Sequence, residues 1–254
     1  MTGVGQRRSL ATGALARIAI VALGVATLAA WPRGATPDPA STASSVLFRE
    51  DFEAGLGERW VERSFPSIDR KNTFTLRRDA DGNGYLHVES HDSYSARGVQ
   101  LRFSAEQCAQ VCWRWRIGGV VDEGDLERRD GDDAAAKLYV VFDGPSFWNP
   151  FDKRALVYLW DNVHPRGTIV PNAWAPARER MIVLESGNRE RGRWVRECVD
   201  LAGDYARAFP GERPGRVEGI AFLADTDNTH ARASASLDDL TVCCMPRPAP
   251  AERE

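Results

Sequence analysis

From Val46 to Cys243 the chain reads as short apolar or alternating runs, each closed by Gly, Asp, Asn or Pro. Alternation with a period of two is what a half-buried strand requires, because successive side chains leave opposite faces of a sheet. The pattern predicts strands over 46–52, 74–77, 85–89, 99–103, 111–117, 137–142, 155–160, 181–185, 194–199, 220–224 and 237–243, with one short helix over 201–209. The period is plainest in 111–117, where Val111, Trp113, Trp115 and Ile117 share one face and Cys112, Arg114 and Arg116 the other. Mid-strand Trp interleaved with Val and Ile is packing chemistry, so this aromatic face is assigned to the core in preference to a sugar-stacking platform. Closely spaced strands without long helical segments between them specify an all-β fold, a β-sandwich with one short helix.

A chain of 254 residues is long enough for one such sandwich and short for two. Its first 44 residues stand apart: Arg7 and Arg8, an apolar run over 18–31, then a stretch rich in Pro, Ala, Ser and Thr. That order of basic flank, apolar segment and small-residue exit is the order of a secretory signal peptide. The alternative is one uncleaved membrane helix over 10–31 with its basic end in the cytoplasm. Either arrangement exports a domain over 45–244 to the periplasm or the cell exterior and confines membrane contact to the N-terminal segment. Residues 245–254, Pro-rich and charged, are expected as a disordered tail. Without the four Arg and one Asp of the leader, the 33 basic and 36 acidic groups become 29 and 35. An acidic body argues against nucleic acid as a partner, since that requires a basic footprint.

In an exported chain the five cysteines, Cys108, Cys112, Cys198, Cys243 and Cys244, are disulfide material. Four residues along one strand face would put Cys108 and Cys112 about 13 Å apart, too far to pair with each other. One or both are therefore expected to reach Cys243 and Cys244, leaving Cys198 as the odd thiol. The spacing lacks the paired C-x-x-C arrangement of a zinc site.

The run Leu47-Phe48-Arg49-Glu50-Asp51-Phe52-Glu53, with Gly55 and Trp60, and the closing segment 237–242 resemble the first and last strands of carbohydrate-binding-module and laminin-G-like jelly rolls. Between these ends stand Trp113-Arg114-Trp115, the segment 129–133 leading into 137–142, then 156–160, Glu185-Ser186-Gly187, Trp194, Asp204-Tyr205 and 219–228. That ordering resembles an uncharacterised bacterial family of secreted proteins, the domain of unknown function numbered 3047, over nearly all of the chain after the leader. The resemblance implies a jelly roll, of concanavalin-like or galactose-binding-like kind, and a place outside the cytosol. The family has no established activity, so it implies no mechanism.

Two polar clusters flank predicted strands. Asp130, Asp132 and Asp133 precede the strand of Lys137, and Asp225, Asp227 and Asn228 follow the strand 220–224. Antiparallel neighbours bring the start of one strand beside the end of another, so the clusters are expected on one rim. Hard oxygen ligands suit Ca²⁺, and the same groups suit sugar hydroxyls, with Lys137 and Arg129 donating. The plainer account is turn chemistry, in which Asp and Asn side chains bond their own backbone. The candidate ligand-binding set is Asp132, Asp133, Lys137, Asp225, Asp227 and Asn228, with Trp160 or Trp148 as a stacking surface. A second, structural calcium would use Glu53 with Asp238 or Asp239, joining the first and last strands.

Glu123, Asp125 and Glu127 repeat at the spacing that puts catalytic carboxylates on one strand face in laminarinase-like glycosidases. Gly124 and the flanking charges of Asp122, Arg128, Arg129 and Asp130 instead specify a solvated loop. Four histidines, His87, His91, His164 and His230, are present without a Gly-x-Ser-x-Gly elbow, which gives nucleophilic catalysis little support. The loop 145–151, with Phe147, Trp148 and Phe151 between prolines, either caps the core or forms a binding lip.

The leading expectation is a glycan-binding protein of the cell envelope without catalysis, with polysaccharide or another envelope glycan as partner and calcium as the one cofactor the residues admit. Two alternatives remain. One is a polysaccharide hydrolase or lyase that uses two rim carboxylates as acid and base. The other is a calcium-stabilised structural envelope protein.

Overall fold

Thirteen strands and one α-helix follow one another among the described residues: β1 (Ser45–Glu50), β2 (Trp60–Arg63), β3 (Thr73–Arg78), β4 (Gly84–His91), β5 (Ala96–Ser104), β6 (Gln110–Ile117), β7 (Ala134–Phe142), β8 (Arg154–Asp161), β9 (Ile169–Pro171), β10 (Glu179–Ser186), β11 (Val195–Asp200), α1 (Leu201–Ala208), β12 (Arg216–Asp225) and β13 (Arg232–Cys244). This computed structural model describes residues 45–64, 67–108, 110–144 and 152–244. The expectations for the leader 1–44, the aromatic loop 145–151 with Trp148, and the tail 245–254 lie outside the described residues. Every segment with strand periodicity forms a strand, and the predicted helix forms as α1. Two short strands, β2 and β9, left no periodic signal, since four and three residues are too few to show one.

The strands form two sheets, as the all-β jelly-roll expectation requires. One is six-stranded in the order β11-β6-β13-β4-β3, with β1 also on β13. The N-terminal half of β13 pairs with β4 and its C-terminal half with β1. A bulge between Asp238 and Thr241 bends β13 along β6, with Asp239 in a left-handed conformation (φ 51°). The other sheet is seven-stranded in the order β2-β5-β12-β7-β8-β10-β9. Only its β8 and β10 run parallel, joined by a connection that lays β9 on the far side of β10.

Alternation explains the core. Trp113 and Trp115 on β6 are fully buried and meet edge to face at 5.4 Å. Across the sandwich they contact Tyr158 and Trp160 of β8, at 5.7 and 6.0 Å between ring centroids. Asp200 ends β11 and caps α1, accepting hydrogen bonds from the Ala202 and Gly203 N–H groups at 3.1 and 3.2 Å. A second apolar cluster covers the outer face of the seven-stranded sheet, where Leu126 packs with Ala155, Val157, Leu159, Met181 and Val183. The segment Glu123 to Glu127 is a loop, as its composition specifies, but Leu126 anchors it inward, so it is a roof and only in part solvated.

The disulfides correct part of the cysteine reading. Cys108 bonds Cys244, as expected, while Cys112 bonds Cys198 and leaves Cys243 as the free thiol. The reason is register: Cys112 and Cys198 stand directly opposite each other in the β6–β11 pair.

Candidate functional site

The two acidic clusters do converge. β7 and β12 are antiparallel neighbours, and Ala134 stands opposite Asp225, so the start of one strand meets the end of the other. Gly131 and Gly124 permit the approach: a Cβ on Gly131 would lie 2.9 Å from the Asp125 backbone N, and one on Gly124 2.9 Å from the Asp133 carbonyl. Lys137, 0% exposed, points into this corner and donates to Asp132 Oδ1 at 3.0 Å and Asp225 Oδ2 at 2.8 Å. Burial alone would lower the Lys137 pKa, but Asp132 and Asp225 outweigh it and hold the ammonium protonated. The second Asp132 oxygen accepts from Asn172 Nδ2 at 2.7 Å. Asp133 closes the following turn, taking the Asn228 amide at 3.0 Å and the Thr229 N–H and hydroxyl at 2.7 and 2.6 Å. Much of this cluster is therefore internal scaffolding.

Trp160 does not join it as a stacking surface. Its ring is 1% exposed and its indole N–H donates to the Gly187 carbonyl at 2.9 Å, so no sugar can reach its face. The calcium site expected from Glu53 with Asp238 or Asp239 does not assemble either. Glu53 is engaged by Arg78 at 2.6 Å and by the Gly84 N–H at 2.6 Å. Asp238 is wholly buried against Arg114 and accepts from Asn83 Nδ2 at 2.9 Å, while Asp239 lies 3.2 Å from Arg114 Nε. Arginines already supply the positive charge that a cation would have brought.

A different feature, not apparent along the sequence, has the dimensions of a ligand site. Over the outer face of the six-stranded sheet runs an open groove of about 800 Å³, lined by Arg70, Lys71, Glu89, Asp122, Arg191 and Arg232 together with serines and glycines. It continues, through shared Gly118 and Ser234, into a second hollow of about 280 Å³ bounded by Arg77, Tyr85, His87, Arg116 and Ser236. Arg70 pairs with Asp92, and Arg77 with Glu89 at 2.7 Å. Lys71, Arg191 and Arg232 have no ion pair among the described residues. Beside the second hollow Trp194 is bracketed by guanidinium groups, Arg116 at 4.5 Å and Arg114 at 4.9 Å from its ring, with Tyr85 edge-on at 5.4 Å. Its indole N–H donates to Asp79 at 2.8 Å.

On the floor of the second hollow, His87 of β4 stands opposite Ser236 of β13, with Nδ1 3.0 Å from the hydroxyl and Nε2 3.4 Å from Glu89. Burial, helped by Arg77, holds the His87 pKa below the usual imidazole range. The sequence reading gave the histidines no chemistry; this pairing becomes visible only through strand register.

A third group lies between the sheets. Glu185 of β10 and Glu197 of β11 are both buried, and Arg166 spans them at 2.8 and 3.9 Å. Burial and the neighbouring Glu185 push Glu197 up to about 7 from an ordinary 4.5, so the folded state holds a proton there that the unfolded chain releases. Stability from this group is complete below about pH 4.5 and is lost as pH rises through about 7, roughly 2–3 kcal/mol in all. Glu197→Gln should flatten that slope and make the protein more stable than wild type at pH 8. Urea denaturation across pH 4.5 to 8 checks this, and an unchanged slope would remove Glu197 as its source.

Residues 58–241 match the model of a family described as a protein of unknown function, DUF3047. No curated protein matches the sequence. Among solved structures, the N-terminal CBM22-1-CBM22-2 tandem domain of Paenibacillus barcinonensis Xyn10C is 15% identical, with a TM-score of 0.41 over 85% of this chain and 50% of that one. A cellulase derived from Cel12A of Rhodothermus marinus is 14% identical with a TM-score of 0.39, covering 74% of this chain and 97% of its own. The family 30 carbohydrate-binding module of Clostridium thermocellum cellulosomal cellulase is 9% identical with a TM-score of 0.32, covering 79% and 92%. The chain thus spans half the length of the first of these structures.

Proposed function

The chain belongs to the DUF3047 family, and from that premise we propose that it is an exported binding protein for an acidic polysaccharide, held in the groove over the six-stranded sheet. The observation that carries this reading is the charge of the groove. Lys71, Arg191 and Arg232 line it without ion-pair partners among the described residues, in a domain whose acidic groups outnumber its basic ones. Unpaired cations among serine hydroxyls and backbone amides suit a chain of carboxylate-bearing sugars, whose acid groups meet guanidinium and ammonium and whose hydroxyls meet the rest. Trp194 and Tyr85 extend that surface with aromatic area. Export is supported by the order of residues in the leader and by two disulfides, which persist in oxidising compartments.

Retention of the full chain on immobilised polygalacturonate, compared with a neutral glucan, tests the proposal. Binding should favour the acidic polymer and weaken with salt. Changing both Arg191 and Arg232 to Glu should weaken it at least about tenfold, or about 1.4 kcal/mol, with little change in melting temperature. Equal retention on both polymers, or none on either, would overturn it. The His87–Ser236 contact favours a hydrolytic second reading, in which released products would accompany retention and disappear in Ser236→Ala.

A further inference from the structure

The corner where β7 meets β12 gathers more carboxyl groups than cationic side chains among the described residues. Four carboxyl groups, those of Asp132, Asp133, Asp225 and Asp227, share it with the ammonium of Lys137, and burial pushes the Asp225 carboxyl well above its ordinary range. Glu179, partly buried, lies close enough to feel both Lys137 and Asp132. Oxygens of Asp133, Asp225 and Asp227 all lie within 4.8 Å of one another. Asp225 is 3% exposed, and although its Oδ2 takes the Lys137 ammonium, its Oδ1 is buried with no hydrogen-bond partner among the described residues. An orphaned carboxylate oxygen inside a protein costs several kcal/mol unless a proton or a cation meets it.

We propose that Asp133, Asp225 and Asp227 bind one calcium ion, with Asp225 Oδ1 as its buried ligand and the partly exposed Asp227 as its opening to solvent. Three carboxylates without Cys or His select a hard cation over zinc or copper. Calcium fits better than magnesium because the donors come from two strand ends and a turn, an irregular cradle unlike the octahedron magnesium demands. Two positive charges would offset carboxylates that the Lys137 ammonium alone does not pair. Asn228 stands at the same place, its amide donating to Asp133 Oδ1 at 3.0 Å and Asp227 Oδ1 at 3.2 Å. A half-turn of that amide would offer its oxygen as a further ligand.

The site also adjoins the groove. Thr226, next to Asp225, exchanges a hydrogen bond with the Ser90 hydroxyl at 2.8 Å and accepts from the Ser93 N–H at 3.3 Å, and both serines line the groove. The inference stands apart from the glycan reading, since calcium binding is measured without any sugar.

The full chain, stripped with chelator, is melted in millimolar calcium chloride, in magnesium chloride and in neither. The expected result is a rise in melting temperature with calcium that exceeds any rise with magnesium, and a calorimetric stoichiometry of one per chain. Asp227→Asn exchanges a charged ligand for a weaker neutral one and removes one repulsive charge, so its calcium-free melting temperature should equal or exceed that of wild type while its calcium affinity falls at least tenfold. A variant-free readout is terbium luminescence: Tyr94 bridges Asp225 through the backbone, so excitation of tyrosine should sensitise bound terbium, and calcium should displace it. No calcium-dependent rise in wild type, terbium emission that calcium leaves unchanged, or a rise that Asp227→Asn retains in full would each overturn the assignment.

Discussion

Replacing Lys137 with Met should destabilise the protein by about 3–5 kcal/mol, because it leaves the buried carboxylates of Asp132 and Asp225 facing each other without their shared counter-ion. Met nearly matches the aliphatic length of Lys, so the loss reports the charge and little of the packing. The same physics predicts partial rescue. Asp225→Asn in the Lys137→Met background removes one of the two stranded charges and should recover about 1–2 kcal/mol, although in the wild-type background the same change breaks an ion pair and destabilises. Urea denaturation of the four members of that cycle at fixed pH, in the presence of chelator, supplies the test. A loss below about 1 kcal/mol for Lys137→Met would mean that the ammonium is not what holds the corner together.

That corner also shows how far the sequence could be read. Two Asp-rich segments about ninety positions apart were expected on one rim because antiparallel neighbours must join there, and β7 and β12 place them so. Where the Lys137 side chain goes was not legible: a lysine beside acidic turns reads as a solvated donor, and only the three-dimensional approach of Asp225 makes it a buried one. Trp160 misled for a related reason. β8 is buried along its whole length because the seven-stranded sheet is covered on both faces there, by the core and by the cluster around Leu126, so no alternation marks which aromatic faces inward. β6, covered by core on one face and by the arginine and aromatic layer on the other, kept its alternation, and Trp113 and Trp115 were placed correctly. The groove left no linear trace. Its cations come from β13 and from the loops at 70–71 and 188–191, and in a chain of net negative charge a local positive surface emerges only when the sheet assembles.

Changing Cys108 to Ala should cost about 4 kcal/mol, by the entropy that an opened loop returns to the unfolded chain. Its bridge to Cys244 spans 136 residues, and the Cys112–Cys198 bridge spans 86 within it. Cys108 is the informative position because Cys243 is a free thiol next to Cys244, so a variant lacking Cys244 could still close nearly the same ring through Cys243. Nesting gives the prediction a signed second half. While the outer bridge is intact, the inner pair is also joined through the four residues before Cys112 and the 46 after Cys198, roughly 50 in place of 86, so opening the inner ring frees less entropy than it would alone. Removing both bridges should therefore cost about 1 kcal/mol more than the two single losses added together. Denaturant titrations of Cys108→Ala, Cys112→Ala with Cys198→Ala, and the combined variant decide it. Strict additivity would mean that the bridges act by clamping the folded sheets, with the unfolded chain contributing little, and a loss below about 1 kcal/mol for Cys108→Ala would remove the loop-entropy account of that bridge altogether.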